Sequence, residues 1–230
     1  MSEIFEAYIT ADSDDVGIGN PANQISRGIL RFGTDTRLLN MIAGLRWLNI
    51  TVPKNATINS AYVVFKAATY GIGATTPCNV TIKGEASDNP SIFSTFANWL
   101  TRIFVDHTVP WNNIELWVAS TLYQSPELKS IIQDIVNREG WVSGNALALY
   151  FANNGSSGAT SYRTVNDYSD GGVFALLHIE YTVPIQNTLT CATGVFTLTG
   201  KPVTFARTIF SRRSVFMYII WEFFKRKGKL

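Results

Sequence analysis

The chain has 230 residues, of which 46% are hydrophobic and 16% charged, and its formal net charge is +2. This composition supports a sizeable buried core and excludes a chain that is disordered throughout. The two cysteines, Cys78 and Cys191, exclude a disulfide-rich scaffold and have no partners at metal-ligand spacing. The N-terminal residues contain no basic stretch followed by an apolar one, so no secretory signal is predicted and synthesis in a cytoplasm is expected.

Alternation of apolar and polar residues predicts strands along most of residues 1–184. The clearest case is the segment 60–67, in which Ala61, Val63 and Phe65 alternate with other side chains. Further strands, bounded by Gly, Pro, Asn or Asp, are predicted at 28–32, 45–52, 79–83, 145–151 and 175–182. Many short strands without β-α-β alternation predict an all-β fold of two packed antiparallel sheets, a β-sandwich.

One short amphipathic helix is predicted within this strand pattern. Its apolar stripe consists of Leu128, Ile131, Ile132, Ile135 and Val136. Ser125 is expected to cap the first free amides, Pro126 to occupy the first helical position, and Gly140 to end the helix in the left-handed conformation. We expect the helix to cover an open end or an edge of the sandwich.

Several segments resemble a known family of domains. The order of the segments 11–15, 27–32 and 52–65 is similar to the DNRLRE-like group of jelly-roll domains, which resemble carbohydrate-binding modules. The second half agrees in the segment 124–149, an arginine-bearing strand around 162–165 and a closing strand at 177–181. Such domains occur in bacterial surface proteins, in accessory modules of polysaccharide-degrading enzymes and in bacteriophage virion proteins. The resemblance covers roughly residues 5–183 and implies fold rather than function.

Residues 185–230 form a second predicted region, a basic C-terminal hairpin followed by an apolar docking tail. Residues 1–184 carry 11 Lys/Arg and 16 Asp/Glu, a net charge of −5, whereas residues 185–230 carry 8 and 1, a net charge of +7. The segment 193–205 looks like the short Gly-x-Phe-x-Leu-Thr-Gly units appended to phage structural proteins, and its alternation predicts a hairpin.

The apolar segment 215–224 is shorter than a membrane span, which needs about 20 residues, so no transmembrane segment is predicted. Burial against another chain is favoured, while packing on its own domain, contact with a membrane surface and disorder stay open as alternatives. The predicted partner-docking residues are Phe196, Leu198, Phe205, Arg212, Arg213, Phe216, Ile219, Ile220, Trp221 and Phe224. Because large hydrophobic residues separate the basic ones, no nucleic-acid partner is expected.

No catalytic motif is present in the sequence. His107 and His178 are the only histidines, and the alternation of the last strand predicts that His178 faces solvent. The sequence contains no nucleophile elbow, phosphate-binding loop, dinucleotide fingerprint or zinc-protease spacing. A non-enzymatic protein without a cofactor is therefore expected, although the carboxylate pair of a glycan-cleaving enzyme would leave no local motif.

Asp12, Asp14 and Asp15 form the one concentrated acidic cluster, and Asp167 with Asp170 forms a looser one. Oxygen ligands at short spacing are suited to Ca²⁺, which makes the first cluster a weak calcium candidate. Neither a glycine nor a distal glutamate completes a known calcium loop, so a solvated turn in which the aspartates cap backbone amides is favoured and no metal site is predicted.

Aromatic residues make up 13% of the chain. Exposed aromatic rings stack on sugar faces, and Tyr70, Trp111 and Trp117 are the predicted glycan contacts if the domain binds carbohydrate. Structural packing is the favoured interpretation of the tryptophans.

These features together predict a structural protein of a bacteriophage virion, as a capsid decoration, fibre or tail component. In this hypothesis, residues 185–230 dock on other virion proteins, because an acidic outer domain and a basic inner arm suit electrostatic docking. A homo-oligomer is expected, with a trimer as one arrangement. The alternative is a carbohydrate-binding adhesion module that recognises a host surface glycan.

Overall fold

The computed structural model describes residues 2–20, 24–26, 30–35, 39–69, 74–156, 160–171 and 175–183. Contacts within the chain separate it into two units, Met1–Gln186 and Asn187–Leu230, and every described residue belongs to the first. The predicted docking segment therefore lies outside the described residues. Among the helices that the structure does describe, none is long and apolar enough to cross a membrane.

The described chain consists mostly of strands. In chain order they are β1 (Ser2–Tyr8), β2 (Asp15–Asn20), β3 (Gln24–Ser26), β4 (Leu30–Asp35), β5 (Leu39–Trp47), β6 (Thr57–Lys66), β7 (Cys78–Glu85), β8 (Phe104–Ile114), β9 (Leu122–Gln124), β10 (Leu147–Asn153), β11 (Thr160–Val165) and β12 (Leu176–Thr182). Two short helices, α1 (Phe96–Leu100) and α2 (Lys129–Val136), and a 3₁₀ turn at Tyr168–Asp170 complete the secondary structure.

The strands form two antiparallel sheets that pack face to face. The smaller sheet has the order β1-β12-β6-β9, so the first and last strands are neighbours. The larger sheet has the order β11-β4-β5-β10-β7-β8, with β2 paired to β5 and β3 paired to β2. The predicted all-β antiparallel sandwich is confirmed.

The core between the sheets follows from the alternation seen in the sequence. In β6, Ala61, Val63 and Phe65 are fully buried, while their neighbours are partly exposed. Phe65 meets Phe151 of β10 edge to face, with 5.0 Å between ring centroids. The strand predicted at 45–52 ends earlier, at Trp47, because Asn49 adopts a left-handed φ of 54° that a strand does not accommodate.

Helix α2 packs on β6 of the smaller sheet and on β7 and β8 at one edge of the larger one, as predicted. All five residues of its predicted apolar stripe are buried. At Gly84 of β7 a β-carbon would lie 2.5 Å from Ile131 Cγ2, so the close approach of helix and sheet depends on that glycine.

The predicted ends of α2 are wrong. The helix begins at Lys129 rather than at Pro126, and the carboxylate of Glu127 accepts a hydrogen bond from the Lys129 amide at 2.9 Å. Ser125 does not cap the helix; its hydroxyl instead accepts a hydrogen bond from the amide of Val63 in β6 at 3.0 Å. Gly140 is not left-handed; its missing side chain leaves space for Asp88, whose Oδ2 would lie 2.1 Å from a β-carbon there.

Arg163 ties β11 to two loops. Arg163 is 1% exposed, and its guanidinium donates hydrogen bonds to the backbone carbonyls of Ile114, Glu115, Thr76 and Tyr162. The arginine-bearing strand that the sequence predicted is therefore present as β11. The charge of Arg163 is satisfied by backbone oxygens, which is a structural use of the residue.

Candidate functional site

The residues of the first acidic cluster, Asp12, Asp14 and Asp15, do not converge on one point. Asp14 forms an ion pair with Arg46, whose Nη1 lies 2.5 Å from Asp14 Oδ1, and Arg46 also donates to the carbonyl of Pro90. Asp12 is half-buried. In the part of the chain that the structure describes, no three acidic, histidine or cysteine side chains group as a metal site.

Asp15 joins the second acidic group instead. It is the first residue of β2, and its Oδ2 accepts a hydrogen bond of 2.6 Å from the amide of Tyr168, in the 3₁₀ turn that follows β11. Asp167 precedes that turn and caps it: its side chain accepts the Asp170 amide, and its Oδ1 accepts the hydroxyl of Ser169 at 2.6 Å. The fold thus brings Asp15 and Asp167 close together, although they are far apart in the sequence.

Each of these two carboxylates has one oxygen that no described residue contacts through a hydrogen bond. Asp15 is 2% exposed and Asp167 is 1% exposed. Asp15 Oδ1 and Asp167 Oδ2 are buried, and neither has a hydrogen-bond partner among the described residues. A buried carboxylate oxygen without a donor is costly, because the charge has lost its water and gained nothing in exchange.

The titration of both groups reflects this environment. The pKa of Asp15 is raised from 3.8 to about 7, chiefly by burial; the Tyr168 amide opposes this rise, and the charges of Asp167, Asp12 and Asp14 contribute to it. Burial also raises the pKa of Asp167, to which the charge of Asp170 contributes. The site thus contains two buried carboxylates, of which the charge of Asp167 acts on Asp15, and such a pair suits a proton or a hard cation.

Two of the predicted glycan contacts lie together at a second place. Trp111 and Trp117 line a shallow cleft of about 470 Å³ with Asn113, Leu122, Tyr123 and Gln124. Trp117 is 7% exposed and stacks on Tyr123, with 4.7 Å between ring centroids, so its ring belongs mainly to the core. Trp111 is half-buried and presents more of its surface. Tyr70 lies outside the described residues.

The two histidines have carboxylate partners on the sandwich. His107 Nδ1 lies 2.8 Å from Asp134 Oδ2, which connects β8 to α2. His178 Nδ1 lies 2.8 Å from Glu6 Oε1, and its ring stacks on Tyr62 at 4.5 Å. His178 lies on the outer face of β12, opposite to the buried Leu177 and Ile179, as predicted, and its stacking on Tyr62 leaves 14% of its side chain exposed.

The predicted docking residues all lie beyond residue 183, outside the described part of the chain. Sequence reasoning noted Asp167 only as part of a loose acidic group and missed its association with Asp15. Asp15 begins strand β2, and Asp167 follows the end of strand β11. The sequence alone does not show that these two strand ends meet, because that depends on the sheet topology.

Comparison with known proteins adds no relative. No family model matches the chain, and no curated protein matches it in sequence. The likeness of residues 5–183 to DNRLRE-like jelly-roll domains, and that of residues 193–205 to phage repeat units, therefore stay predictions from the sequence.

Proposed function

We propose that this protein is a non-enzymatic structural component of a bacteriophage particle. Residues 1–184 would be displayed as a DNRLRE-like sandwich, and residues 185–230 would dock it, as a homo-oligomer, on other virion proteins. The observation that carries the proposal is the division of charge, −5 against +7, at the point where an apolar, basic segment follows the sandwich. Such a division favours oriented docking, since opposite charges guide association and apolar residues then hold the contact.

The contacts of Arg163 and of the two histidines are consistent with a structural role. Arg163 is used to hold loops, and both histidines pair with carboxylates of neighbouring elements. These contacts stabilise the fold, as a structural domain requires.

The test uses the full chain in particles purified from a producing host. The double variant Arg212→Glu/Arg213→Glu reverses two charges of the docking segment, and we expect at least a tenfold loss of incorporation into particles. The matched control reverses two exposed charges of the sandwich, Lys54→Glu and Lys129→Glu, and should be incorporated like the wild type. Equal incorporation of the docking variant, or particles that never contain the protein, would reject the proposal.

The second candidate is a carbohydrate-binding adhesion module, favoured by the cleft beside Trp111. Its half-buried ring lies next to the amide side chains of Asn113 and Gln124, a combination that suits stacking on a sugar and hydrogen bonding to its hydroxyls. On a glycan array, the full chain should bind a defined set of sugars, and Trp111→Ala should abolish that binding while Leu116→Ala preserves it. A blank array for the wild type rejects this candidate without bearing on docking.

A further inference from the structure

We propose that Asp15 and Asp167 form a Ca²⁺ site that joins the start of β2 to the 3₁₀ turn after β11. The inference is independent of the docking function, and it arises from the two carboxylate oxygens that the described residues leave without a partner. Nothing in the proposal requires the three-aspartate cluster at residues 12–15 to act together.

The first step concerns the oxygens. One oxygen of each carboxylate is held by the protein: Asp15 Oδ2 by the Tyr168 amide and Asp167 Oδ1 by the Ser169 hydroxyl. These bonds fix the orientation of both groups and leave Asp15 Oδ1 and Asp167 Oδ2 as the remaining acceptors. Two oriented, desolvated anionic oxygens provide the beginning of a cation site, since a cation would satisfy both at once.

The second step concerns charge. The groups whose charges act on Asp15 are Asp167, Asp12 and Asp14, all of them carboxylates. The guanidinium of Arg46, on the neighbouring strand β5, is bound to Asp14 and to the Pro90 carbonyl. The charges that the described residues are shown to place beside Asp15 are therefore negative, and a divalent cation would neutralise them.

The third step identifies the cation. The donors are oxygens alone, which excludes the nitrogen and sulfur ligands that favour zinc or copper. Ca²⁺ accepts six to eight oxygens in irregular geometry, including backbone carbonyls and water, whereas Mg²⁺ demands a strict octahedron. With two carboxylates rather than a complete loop, we expect a dissociation constant of roughly 10⁻⁴ to 10⁻³ M, as in extracellular calcium modules.

The experiment compares the melting temperature of the full chain after chelation with that in 10 mM CaCl₂ or 10 mM MgCl₂. Ca²⁺ should raise the melting temperature by roughly 3 to 10 °C for such an affinity, and Mg²⁺ should have much less effect. Isothermal titration should show one Ca²⁺ per chain. The variants Asp15→Asn and Asp167→Asn should each abolish the calcium-dependent shift, while Asp106→Asn, an exposed change in β8, should retain it.

Asparagine keeps the shape of the side chain and removes its buried charge, so these variants are expected to fold without calcium; circular dichroism checks this. A wild type that neither melts higher in Ca²⁺ nor binds it in the titration overturns the proposal. If the Asn variants melt higher than the chelated wild type while the wild type ignores Ca²⁺, the pair holds a proton instead. A calcium shift that survives both variants also overturns it, because the ion then binds elsewhere.

Discussion

The side chains of Arg102 and Asp15 are both almost completely removed from water, but among the described residues only Arg102 has an opposite charge beside it. The side chain of Arg102 is 3% exposed, and its Nη1 lies 2.7 Å from Glu85 Oε2. The hydroxyl of Tyr150 donates to the same carboxylate oxygen at 2.5 Å. Asp15, at 2% exposure, instead lies beside other carboxylates, with one oxygen unpartnered among the described residues.

The remaining contacts of Arg102 extend this difference. Its Nη2 donates to the Ile92 carbonyl and to Asn98 Oδ1, both at 2.7 Å, and its guanidinium lies over the ring of Phe93. Although its Nε has no hydrogen-bond partner in the part of the chain that the structure describes, one positive and one negative charge are present in the cluster. The comparison shows that burial alone does not reveal what a charged group does. A structural charged group differs from a ligand-binding one in the balance of charges and hydrogen-bond partners around the buried side chain.

The largest expected effect is the loss of stability when the Arg102–Glu85 ion pair is removed. Arg102→Met leaves the Glu85 carboxylate buried without its counterion. It also removes the hydrogen bond by which Arg102 holds the Ile92 carbonyl, in the segment before α1. We expect the free energy of unfolding to fall by about 3 to 5 kcal/mol, measured by urea denaturation followed by circular dichroism. Lys129→Met, an exposed change on α2, serves as the control. A loss below about 1 kcal/mol would mean that Arg102 is not a structural group, and the comparison would fail.

At the Asp15–Asp167 pair, by contrast, a substitution is expected to increase the free energy of unfolding. In chelator at pH 8, Asp15→Asn should raise the free energy of unfolding by about 1 to 2 kcal/mol, because it removes a desolvated charge beside Asp167 and keeps an acceptor for the Tyr168 amide. Burial raises the pKa of Asp15 from 3.8 to about 7. Chelated wild-type protein therefore loses stability as the pH rises through this range, and the variant should not.

Urea denaturation at pH 5 and pH 8 measures this difference, with Asp106→Asn as the matched control. If Asp15→Asn destabilises the chelated protein at pH 8 as much as Arg102→Met does, the charge of Asp15 is needed by the fold itself. The distinction between the two clusters would then disappear.

The parts of the fold that the sequence predicted are those with strong local periodicity. The alternation in β6 and the apolar stripe of α2 both reflect burial of one face, so they are visible in a single chain. Strand β8 was missed because it lies at the edge of its sheet, where Asp106, His107 and Pro110 are tolerated and the alternation is weak. Helix α1 has no buried residue and therefore leaves no apolar stripe to detect.

The sites were less predictable because they depend on contacts between distant segments. Ser125 fits the local pattern of a helix cap, but β6 binds its hydroxyl and Glu127 replaces it. The acidic residues at 12–15 look like one cluster in the sequence. In the fold, however, Asp14 forms an ion pair with Arg46, and Asp15 accepts a hydrogen bond from the turn at Tyr168. Local spacing records neither assignment, since both follow from sheet topology.

The smallest expected effect concerns an ion pair of the same type as Arg102–Glu85 but open to solvent. Arg138 Nε lies 2.7 Å from Asp88 Oδ1, with 31% and 39% of the two side chains exposed. Because water solvates either charge when its partner is removed, Arg138→Met should cost only about 0.5 kcal/mol in the same urea assay. Both ion pairs have a distance of 2.7 Å, but the Arg102 pair is buried and Arg102 makes further hydrogen bonds to Ile92 and Asn98. A loss as large as that of Arg102→Met would show that the pairing itself, rather than its removal from water, sets the cost.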